Sequence, residues 1–338
     1  MTRPLVLVTG GAGFLGAQLC RFLAAQGFTV RSLDIAPGPT TEHPSIEFIS
    51  GDIRDAAVVA QAMRGVGYVV HAASAALTQP DDVIYSTTVT GTWNVLQAAS
   101  RNRVARVVFL SSSAVYGAQE HHLMHEVDEL LGYGPFAESR IEAEYLCQGA
   151  RLDGLCVSIL RCADIVGPGC GGVFKQLFES SLRGRHFPMR GAGRQTCQVL
   201  DVEDVCDAIY LCLVMRAGLV NDTFNLGSSD FSSRRECFQA VLDNAGYGKR
   251  VIGLPQAPAA LRTVLEFLGA ASSWSRAPVG EDNVLSVRHI DNKLDFRPRH
   301  SARAALLRHF IGYVRLHQPV ARSSPELAHS AHYEGISP

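Results

Sequence analysis

The first residues that could bind a ligand follow an apolar run near the start of the chain. Val6-Leu7-Val8 leads into a turn with Gly10, Gly13 and Gly16, and Phe14-Leu15 opens a helical pattern inside it. Glycine at position 10 permits a tight turn, and glycine at position 13 lets the backbone approach a pyrophosphate. Glycine at position 16 allows a helix to pack closely against a strand. Because the N-terminus of that helix faces the negative charge, the segment predicts a dinucleotide site.

A carboxylate at the end of the next strand-like run indicates which dinucleotide binds. Asp34 lies 18 residues after Gly16 and has no arginine directly after it, although Arg31 lies three positions before it. A carboxylate there accepts hydrogen bonds from a ribose diol and repels a 2′-phosphate. We therefore expect NAD rather than NADP. An ordinary acidic turn residue is the alternative interpretation of Asp34.

Side chains that could act on a substrate follow in the middle of the chain. Ser111-Ser112-Ser113 ends a strand-like run just before Tyr116-Gly117, and Pro135-Phe136-Ala137-Glu138-Ser139-Arg140 leads into a helical pattern. The loop between them contains Tyr133 and three histidines, His121, His122 and His125. A hydroxyl at a strand end can hydrogen-bond a substrate oxygen or simply cap a loop. Histidine titrates near neutral pH and can therefore act as a base.

The composition limits the class of protein. The chain has 338 residues, 47% hydrophobic and 19% charged, which is enough apolar material for a sizeable core. A formal net charge of −1 gives no electrostatic argument for nucleic acid or an anionic membrane.

No apolar run approaches the ~18 residues of a spanning helix, and the N-terminus leads straight into a strand-like run rather than a signal peptide. Nine cysteines without metal-ligand spacing are expected to be plain thiols. We therefore expect a cytoplasmic protein that binds no metal, nucleic acid or membrane.

The elements that position these side chains alternate in type. Short β-branched runs followed by helical patterns are typical of βαβ units and a parallel sheet. The expected strands are Leu5–Val8, Thr29–Leu33, Ile46–Ile49, Tyr68–Ala72, Val107–Leu110 and Cys156–Leu160. The expected helices between them are Phe14–Gln26, Asp55–Arg64, Tyr85–Ser100 and Arg140–Ala150. The fold class is therefore α/β, a Rossmann-type doubly wound parallel sheet that binds its ligand at the carboxyl ends of the strands.

The rhythm of strands and helices changes in the second half of the chain. We expect residues 1–165 to form the dinucleotide-binding domain. Residues 166–316 are expected to form mainly a smaller, mixed α/β substrate domain at the carboxyl edge of the sheet, with segments near 198–230 returning to the sheet. Residues 317–338 lack periodicity and are expected to form a mobile tail.

Several segments carry a known family pattern in the expected order. They are the glycine turn, Gly51-Asp52-Ile53-Arg54-Asp55, His71-Ala72-Ala73-Ser74, Gly91-Thr92-Trp93-Asn94-Val95-Leu96, Gly167-Pro168-Gly169 and Phe224-Asn225-Leu226-Gly227. Over about residues 4–315 the chain resembles the extended short-chain dehydrogenase/reductases, the NAD-dependent epimerase/dehydratase family. The resemblance implies that Asp52 and Ile53 meet the adenine and that Ala72 and Ala73 pass the cofactor. Thr88 stands where the family usually has asparagine.

The same resemblance implies a catalytic role for Ser112, which stands four residues before Tyr116-Gly117, with Ser113 able to assist. It aligns Phe136 with the family's catalytic tyrosine and Arg140 with its lysine. A phenyl ring has no proton to give, and Arg140 can hold the nicotinamide ribose but cannot deprotonate. The usual alcohol–ketone route is therefore expected to lose its acid–base contribution, roughly 10²–10⁴-fold.

Candidates to supply the missing proton transfer lie in the loop before this helix. They are Tyr133 and His125, with His121 and His122 beside the latter. Exposure on a surface loop is the alternative interpretation for each of them.

The substrate half also departs from the family pattern. Cys197 aligns with the arginine that epimerases commonly place on a nucleotide diphosphate, and Arg194 close by could compensate. Asp164 replaces the usual asparagine before the Gly-Pro pair. Lys175 is a candidate phosphate contact, with a solvated helix charge as the alternative, and Ser74 is a further candidate on the substrate side.

These observations predict an NAD-dependent enzyme that acts on a sugar nucleotide or a similar polar carbinol or carbonyl metabolite. Two alternatives stay open: a non-redox tailoring enzyme on this fold, and a catalytically silent NAD-binding sensor or scaffold. The resemblance also implies a homodimer through the helices Tyr85–Ser100 and Arg140–Ala150.

Overall fold

The computed structural model describes residues 3–41, 43–117, 119, 123–228, 230, 232–254 and 284–317. The strands are β1 (Leu5–Thr9), β2 (Val30–Asp34), β3 (Ile46–Ser50), β4 (Val66–His71), β5 (Arg106–Ser112), β6 (Leu123–Met124), β7 (Val157–Cys162), β8 (Asp164–Val166), β9 (Phe187–Arg190), β10 (Val199–Asp201), β11 (Thr223–Leu226), β12 (Val251–Leu254) and β13 (Val284–Leu285). The helices are α1 (Phe14–Ala25), α2 (Ala56–Ala62), α3 (Asp81–Arg101), α4 (Pro135–Leu152), α5 (Gly172–Leu182), α6 (Val202–Val214), α7 (Ala217–Val220), α8 (Arg234–Asn244), α9 (Arg288–Leu294) and α10 (Ala302–His317).

A seven-stranded parallel sheet forms the centre of the molecule. Its strand order is β11-β7-β5-β4-β1-β2-β3, so the order reverses where β1 lies between β2 and β4. Doubly wound sheets bind ligands at the carboxyl ends of the strands next to this switch point. The α/β doubly wound fold expected from the sequence is confirmed.

Both faces of the sheet are buried. Along β1, Val6 and Val8 join the apolar cluster that contains the inner faces of α1 and α6, whereas Leu7 joins the cluster with α2, α3 and α4. Successive side chains of a strand point to opposite faces, and a sheet with helices on both sides has near-continuous apolar strands. The carboxyl ends of the strands, rather than the faces of the sheet, are therefore the expected place for a ligand.

Two helices begin earlier than the sequence indicated. α3 begins at Asp81 rather than Tyr85, because Asp81 and Asp82 in its first turn suit the positive end of the helix. α4 begins at Pro135 rather than Arg140, since proline fits the first helical position. Phe136 and Arg140 therefore lie four residues apart on one face of α4.

The second half adds smaller paired strands and a separate apolar cluster. β8 pairs with β10, β9 with β12 and β13 with β6, all in parallel, and β11 pairs with β7 at the edge of the main sheet. The additional cluster includes Phe178, Phe238 and Phe310. All nine cysteines are free thiols. Within the described ranges, no helix combines the length and the apolar character needed to cross a membrane.

A buried carboxylate ties α6 to the C-terminal helix α10. Asp201 is fully buried and accepts hydrogen bonds from the Glu203 amide at 2.9 Å, from Arg308 Nη1 at 3.0 Å and from His309 Nε2 at 2.9 Å. Burial alone would raise the pKa of Asp201. The bonds from His309 and the Glu203 amide, with the charges of His309 and Arg308, outweigh burial and hold its pKa below the usual value.

Stability is therefore expected to fall in acid. Asp201 has a lower pKa in the folded state, so its contribution is fully present above the unfolded pKa of about 3.9 and is lost as the pH falls through the folded value. Urea unfolding is expected to show that stability falls less in Asp201→Asn than in the wild type between neutral pH and pH values below about 3.9. The exposed Asp153→Asn serves as the control and should keep the full loss. An equally steep loss in Asp201→Asn would contradict this account.

Candidate active site

The turn between β1 and α1 leaves no room for side chains at two of its glycines. Gly10 has a φ of 70°, and a Cβ there would lie 2.7 Å from Ala73 Cα. A Cβ at Gly16 would lie 2.0 Å from the Gly10 carbonyl oxygen. Gly13 is the N-cap of α1, so the amides at the start of the helix, which begins at Phe14-Leu15, have no side-chain cap. A close backbone turn with unpaired helix amides fits a pyrophosphate.

Asp34 lies beside this turn at the end of β2. One of its carboxylate oxygens accepts the Ala12 amide at 2.9 Å, and the other accepts the Ile35 amide at 2.8 Å. The carboxylate keeps further lone pairs that can accept ribose hydroxyls. Arg31 on the same strand donates to Glu47 at 2.8 Å and to two backbone carbonyls, so its guanidinium is engaged away from Asp34. The site therefore has a carboxylate where a 2′-phosphate would need a cation.

The loop after β3 contains the two residues expected at the adenine. Asp52 accepts hydrogen bonds from the Arg54 guanidinium, the shortest at 2.6 Å, and these bonds lower the pKa of Asp52. Ile53 is buried, and its carbonyl accepts Asn94 Nδ2 at 3.0 Å. A Cβ at Gly91 would lie 2.3 Å from the Ile53 side chain. The loop is thus held closely against α3.

A buried histidine at the end of β4 supports the loop that follows. His71 Nε2 lies 3.0 Å from Thr92 Oγ1, and His71 Nδ1 lies 2.7 Å from Thr9 Oγ1. Thr92 donates its own proton to the Thr88 carbonyl at 2.5 Å, so the ring proton must be on Nε2 and Nδ1 accepts from Thr9. Thr9 Oγ1 then accepts the Ala73 amide at 3.3 Å.

The neutral state of His71 maintains this chain of hydrogen bonds. Burial, together with the nearby charge of Arg140, lowers the pKa of His71 to about 3. The Ala72 amide also donates to the Thr9 carbonyl at 3.2 Å, so both Ala72 and Ala73 are held against β1. Sequence reasoning identified this loop but missed the role of the histidine. The available signal was an ionisable residue at the end of an otherwise apolar run.

Ser112 is the last residue of β5, at the carboxyl edge of the sheet. It lies beside Cys162 of β7, and its hydroxyl accepts the Ala114 amide at 3.2 Å where the short 3₁₀ helix Ser113–Tyr116 begins. This bond uses one lone pair and leaves the hydroxyl proton available for donation. Ser112 and Ser113 are both half-buried. The serine pair therefore stands where a doubly wound sheet binds its ligand.

A buried ion pair joins the strands that end at this edge. Glu144 of α4 is fully buried and Arg161 of β7 nearly so, and their shortest contact is 2.7 Å. Ser111 Oγ donates to Glu144 at 2.5 Å, and Arg161 donates to the Tyr116 hydroxyl at 2.9 Å. Tyr116 in turn donates to Asn225 of β11 at 2.7 Å. The network links α4, β5, β7 and β11 near the carboxyl ends of the strands.

The cation aligned with the family's lysine is turned inward. Arg140 is buried, and its Nη1 donates to the Leu110 carbonyl at 2.7 Å. Its guanidinium carbon lies 5.6 Å from the ring centre of Phe109 and 5.5 Å from that of Phe136. Burial lowers the pKa of Arg140 to about 10, so it stays charged at neutral pH. Phe136 and Arg140 thus form a stacked pair that exchanges no proton at neutral pH.

The loop residues expected to replace the missing phenol face solvent. Tyr133 exposes 89% of its surface, and His125 is exposed, with its backbone amide bonded to Asp128 at 2.7 Å. Among the described residues, neither side chain is hydrogen-bonded to Ser112. His121 and His122 lie outside the described residues. The described part of this loop supplies no proton-transfer group in contact with the serine.

The candidate residues on the substrate side differ from one another in their exposure to solvent. Lys175 is exposed and lies 3.9 Å from Glu179 one turn along α5, which matches the solvated-charge interpretation. Ser74 and Arg194 are also exposed. Cys197, which the resemblance aligns with an epimerase arginine, is buried.

Asp164 has a different environment from these residues. It begins β8, and its side chain is accessible to solvent. The surrounding protein nevertheless removes enough water to raise the pKa of its carboxyl, while the charge of Arg234 acts in the opposite direction. Asp164 is therefore an accessible carboxyl in a largely desolvated position.

Comparison with known proteins identifies the family. The profile described as the NAD dependent epimerase/dehydratase family matches residues 6–227, which is more than half of the chain. The chain belongs to this family.

Two relatives and one solved structure show how far the similarity extends. An uncharacterized protein of Sinorhizobium fredii is 31% identical over 305 residues, covering 87% of this chain and 75% of the relative. A protein of Mycobacterium tuberculosis named 3 beta-hydroxysteroid dehydrogenase/Delta 5-->4-isomerase is 35% identical over 246 residues, covering 68% of this chain and 65% of the relative. This chain thus spans less than two thirds of the steroid dehydrogenase. The structure of MoeE5 in complex with UDP-glucuronic acid and NAD has a TM-score of 0.78 and 25% identity, covering 92% of this chain and 99% of the other.

As a member of the NAD dependent epimerase/dehydratase family, the protein is an enzyme and its cofactor is NAD. The β1–α1 turn, whose glycines allow close backbone packing, and the Asp34 carboxylate beside it fit that cofactor. When bound, NAD supplies a hydride acceptor. The resemblance in sequence aligns Phe136 and Arg140 with the acid–base pair of this family.

Proposed function

We propose that this enzyme acts at the carbinol or carbonyl carbon of a sugar nucleotide or a similar polar metabolite, with altered acid–base residues. The observation that carries the proposal is the position of Ser112. It ends β5 at the carboxyl edge of the sheet, with an available hydroxyl proton. The strand that precedes the cofactor loop, β4, is the direct neighbour of β5. A substrate held between cofactor and serine would place its oxygen within reach of that hydroxyl.

Each residue of the proposed catalytic group has a separate task. Ser112 donates a hydrogen bond to the reacting oxygen, and Ser113 assists at the start of the 3₁₀ helix. Arg140 keeps a fixed positive charge near the nicotinamide ribose, held by the Leu110 carbonyl. Phe136 covers that guanidinium with an apolar ring. Tyr133 and His125 belong to the loop at the entrance.

The cofactor and substrate residues divide between the two halves of the chain. Residues 1–165 bind NAD through the glycine turn, the Asp52-Ile53 loop and the Ala72-Ala73 loop. Residues 166–316 form mainly the substrate domain, and two of the four substrate candidates, Ser74 and Asp164, belong to the first half. The substrate candidates are Ser74, Asp164, Lys175 and Arg194.

The names of the relatives support a hydroxyl-bearing substrate. One is a hydroxysteroid dehydrogenase, and the solved structure contains UDP-glucuronic acid. A hydroxyl group is what these molecules share. The reaction proposed here therefore centres on a carbinol, with the sugar nucleotide as the preferred class.

The proposal includes the state and location of the protein. A homodimer through α3 and α4 is supported by Trp93 and Tyr145, large side chains that these helices expose. A cytoplasmic location is supported by the nine free thiols, which persist in a reducing compartment.

Mass spectrometry of the small molecules released by denaturing the purified protein tests the proposal. Enzymes that oxidise and then reduce the same substrate must retain their cofactor, so near-stoichiometric NAD or NADH is expected. Gly16→Ala, purified in the same way, should release far less. An empty wild-type site together with weak NAD binding by titration would contradict a retained cofactor. A non-redox enzyme or a silent NAD-binding protein would then be favoured.

A further inference from the structure

Oxidation of a carbinol requires a group that accepts a proton. The carbon loses a hydride and the oxygen loses a proton, so a base within reach of that oxygen contributes directly to the rate. Phe136 has no titratable group, and Arg140 is charged and bonded to the Leu110 carbonyl. Ser112 can donate a hydrogen bond but is not a base by itself. A base on another element at the carboxyl edge would complete this chemistry.

The backbone places Asp164 at this edge. Ser112 and Cys162 are side by side in neighbouring strands, which are normally spaced by about 5 Å, and Asp164 follows two residues later, about 7 Å along the chain. The amide between them, of Ala163, donates to the Leu226 carbonyl at 2.8 Å, so the path of this segment is fixed.

The segment that follows Asp164 leads towards the cofactor turn. A Cβ at Gly167 would lie 3.1 Å from the Phe14 ring, and Gln18 of α1 donates to the Pro168 carbonyl at 3.3 Å. Residues 164–168 therefore run from the strand beside Ser112 to the N-terminal half of α1. Along the chain, Asp164 lies between Cys162, which neighbours the proposed catalytic serine, and Pro168, which contacts α1.

The environment of Asp164 suits a proton acceptor. Its side chain is accessible, whereas the carboxylate of Glu144 near this edge is buried and bonded to Arg161 and Ser111. Desolvation raises the pKa of the Asp164 carboxyl, and Arg234 limits the rise. A carboxyl with a raised pKa is a better match for proton transfer near neutral pH than an ordinary aspartate.

We propose that Asp164 is the acid–base residue of this enzyme. In the oxidative direction the substrate O–H bond breaks and its proton passes to the Asp164 carboxylate. The C–H bond breaks at the same time and its electron pair leaves as hydride to NAD, so that a C=O bond forms. In the reductive direction the protonated carboxyl returns the proton to the oxygen. The assignment rests on the proposed carbinol chemistry.

The pH dependence of turnover tests this assignment. Wild type, Asp164→Asn, Asp164→Glu and the exposed control Asp153→Asn are loaded with NAD and assayed with UDP-glucuronic acid, other sugar nucleotides and a 3β-hydroxysteroid. Asp164→Asn is expected to lower turnover about 10²–10³-fold and to remove the acid limb of the profile, because its amide cannot accept the proton. Asp164→Glu should restore part of the rate with a shifted limb, and Asp153→Asn should match the wild type. NAD affinity, measured by calorimetry, should be the same in all four proteins.

Three other results would contradict the assignment, each in a different way. Turnover of Asp164→Asn within about threefold of wild type, with the same pH profile, would assign the proton transfer to another group. Loss of NAD affinity in Asp164→Asn would indicate a structural role. If the wild type binds NAD but none of the probes reduces the bound NAD, the proposed carbinol chemistry is wrong. The role assigned to Asp164 is then wrong as well.

Discussion

Replacing Arg161 with methionine is expected to lower the free energy of unfolding by about 3–5 kcal/mol. The Glu144 carboxylate has no exposed surface and accepts hydrogen bonds from both Nε and Nη2 of Arg161. Without the guanidinium, a buried negative charge would keep only the Ser111 hydroxyl as a partner. Urea unfolding followed by circular dichroism measures the loss.

Two further variants make this result specific to the buried pair. Arg54→Met removes an ion pair whose side chains are 42% and 33% exposed, and it should cost less than about 1 kcal/mol. The double variant Glu144→Leu/Arg161→Met should be more stable than Arg161→Met alone, because no unpaired charge is left. A cost below about 1 kcal/mol for Arg161→Met would show that the network is not a major source of stability.

Gly16→Ala is expected to weaken NAD binding by about 100-fold. The added Cβ would lie 2.0 Å from the Gly10 carbonyl oxygen, so α1 must move away from the turn that holds the pyrophosphate. Overpacking of this kind costs about 1–3 kcal/mol, and each 1.4 kcal/mol corresponds to about tenfold in affinity. Isothermal titration of the purified apoprotein with NAD gives the ratio directly.

Gly149→Ala is the matched control for this substitution. Gly149 lies inside α4, and a Cβ there would have no heavy atom within 4 Å. Alanine in a helix interior is more favourable than glycine by up to about 1 kcal/mol, so this variant should be as stable as the wild type or more so. NAD affinity of Gly16→Ala equal to that of Gly149→Ala would contradict the proposed cradle.

Local pattern was sufficient to predict the sheet and the glycine turn between β1 and α1. The glycine spacing after Val8 and the position of Asp34 each depend on the conformation of one short segment. Such local features can be predicted from sequence. The doubly wound topology follows from the alternation of strands and helices. The same holds for Ser112, which ends a strand and begins a 3₁₀ helix within a few residues.

The features that sequence reasoning missed depend on partners distant in the chain. Arg140 is bonded to a carbonyl 30 residues earlier, and Asp201 is bonded to a histidine 108 residues later. The tautomer of His71 follows from two threonines on different elements. No periodicity encodes such pairs, because they arise only when the sheet brings the strand ends together. The start of α4 at Pro135 is a smaller miss, since proline at a first helical position is a local signal.

The central claim is that this family member carries out carbinol chemistry at Ser112 without the tyrosine–lysine pair. The most direct test is anaerobic mixing of the NAD-loaded enzyme with the hydroxyl-bearing probes, followed by the near-ultraviolet absorbance of reduced cofactor. The account predicts cofactor reduction by wild type with at least one sugar nucleotide, and a rate about 10²-fold lower in Ser112→Ala with unchanged NAD affinity. Full occupancy by NAD with no reduction by any probe would contradict it.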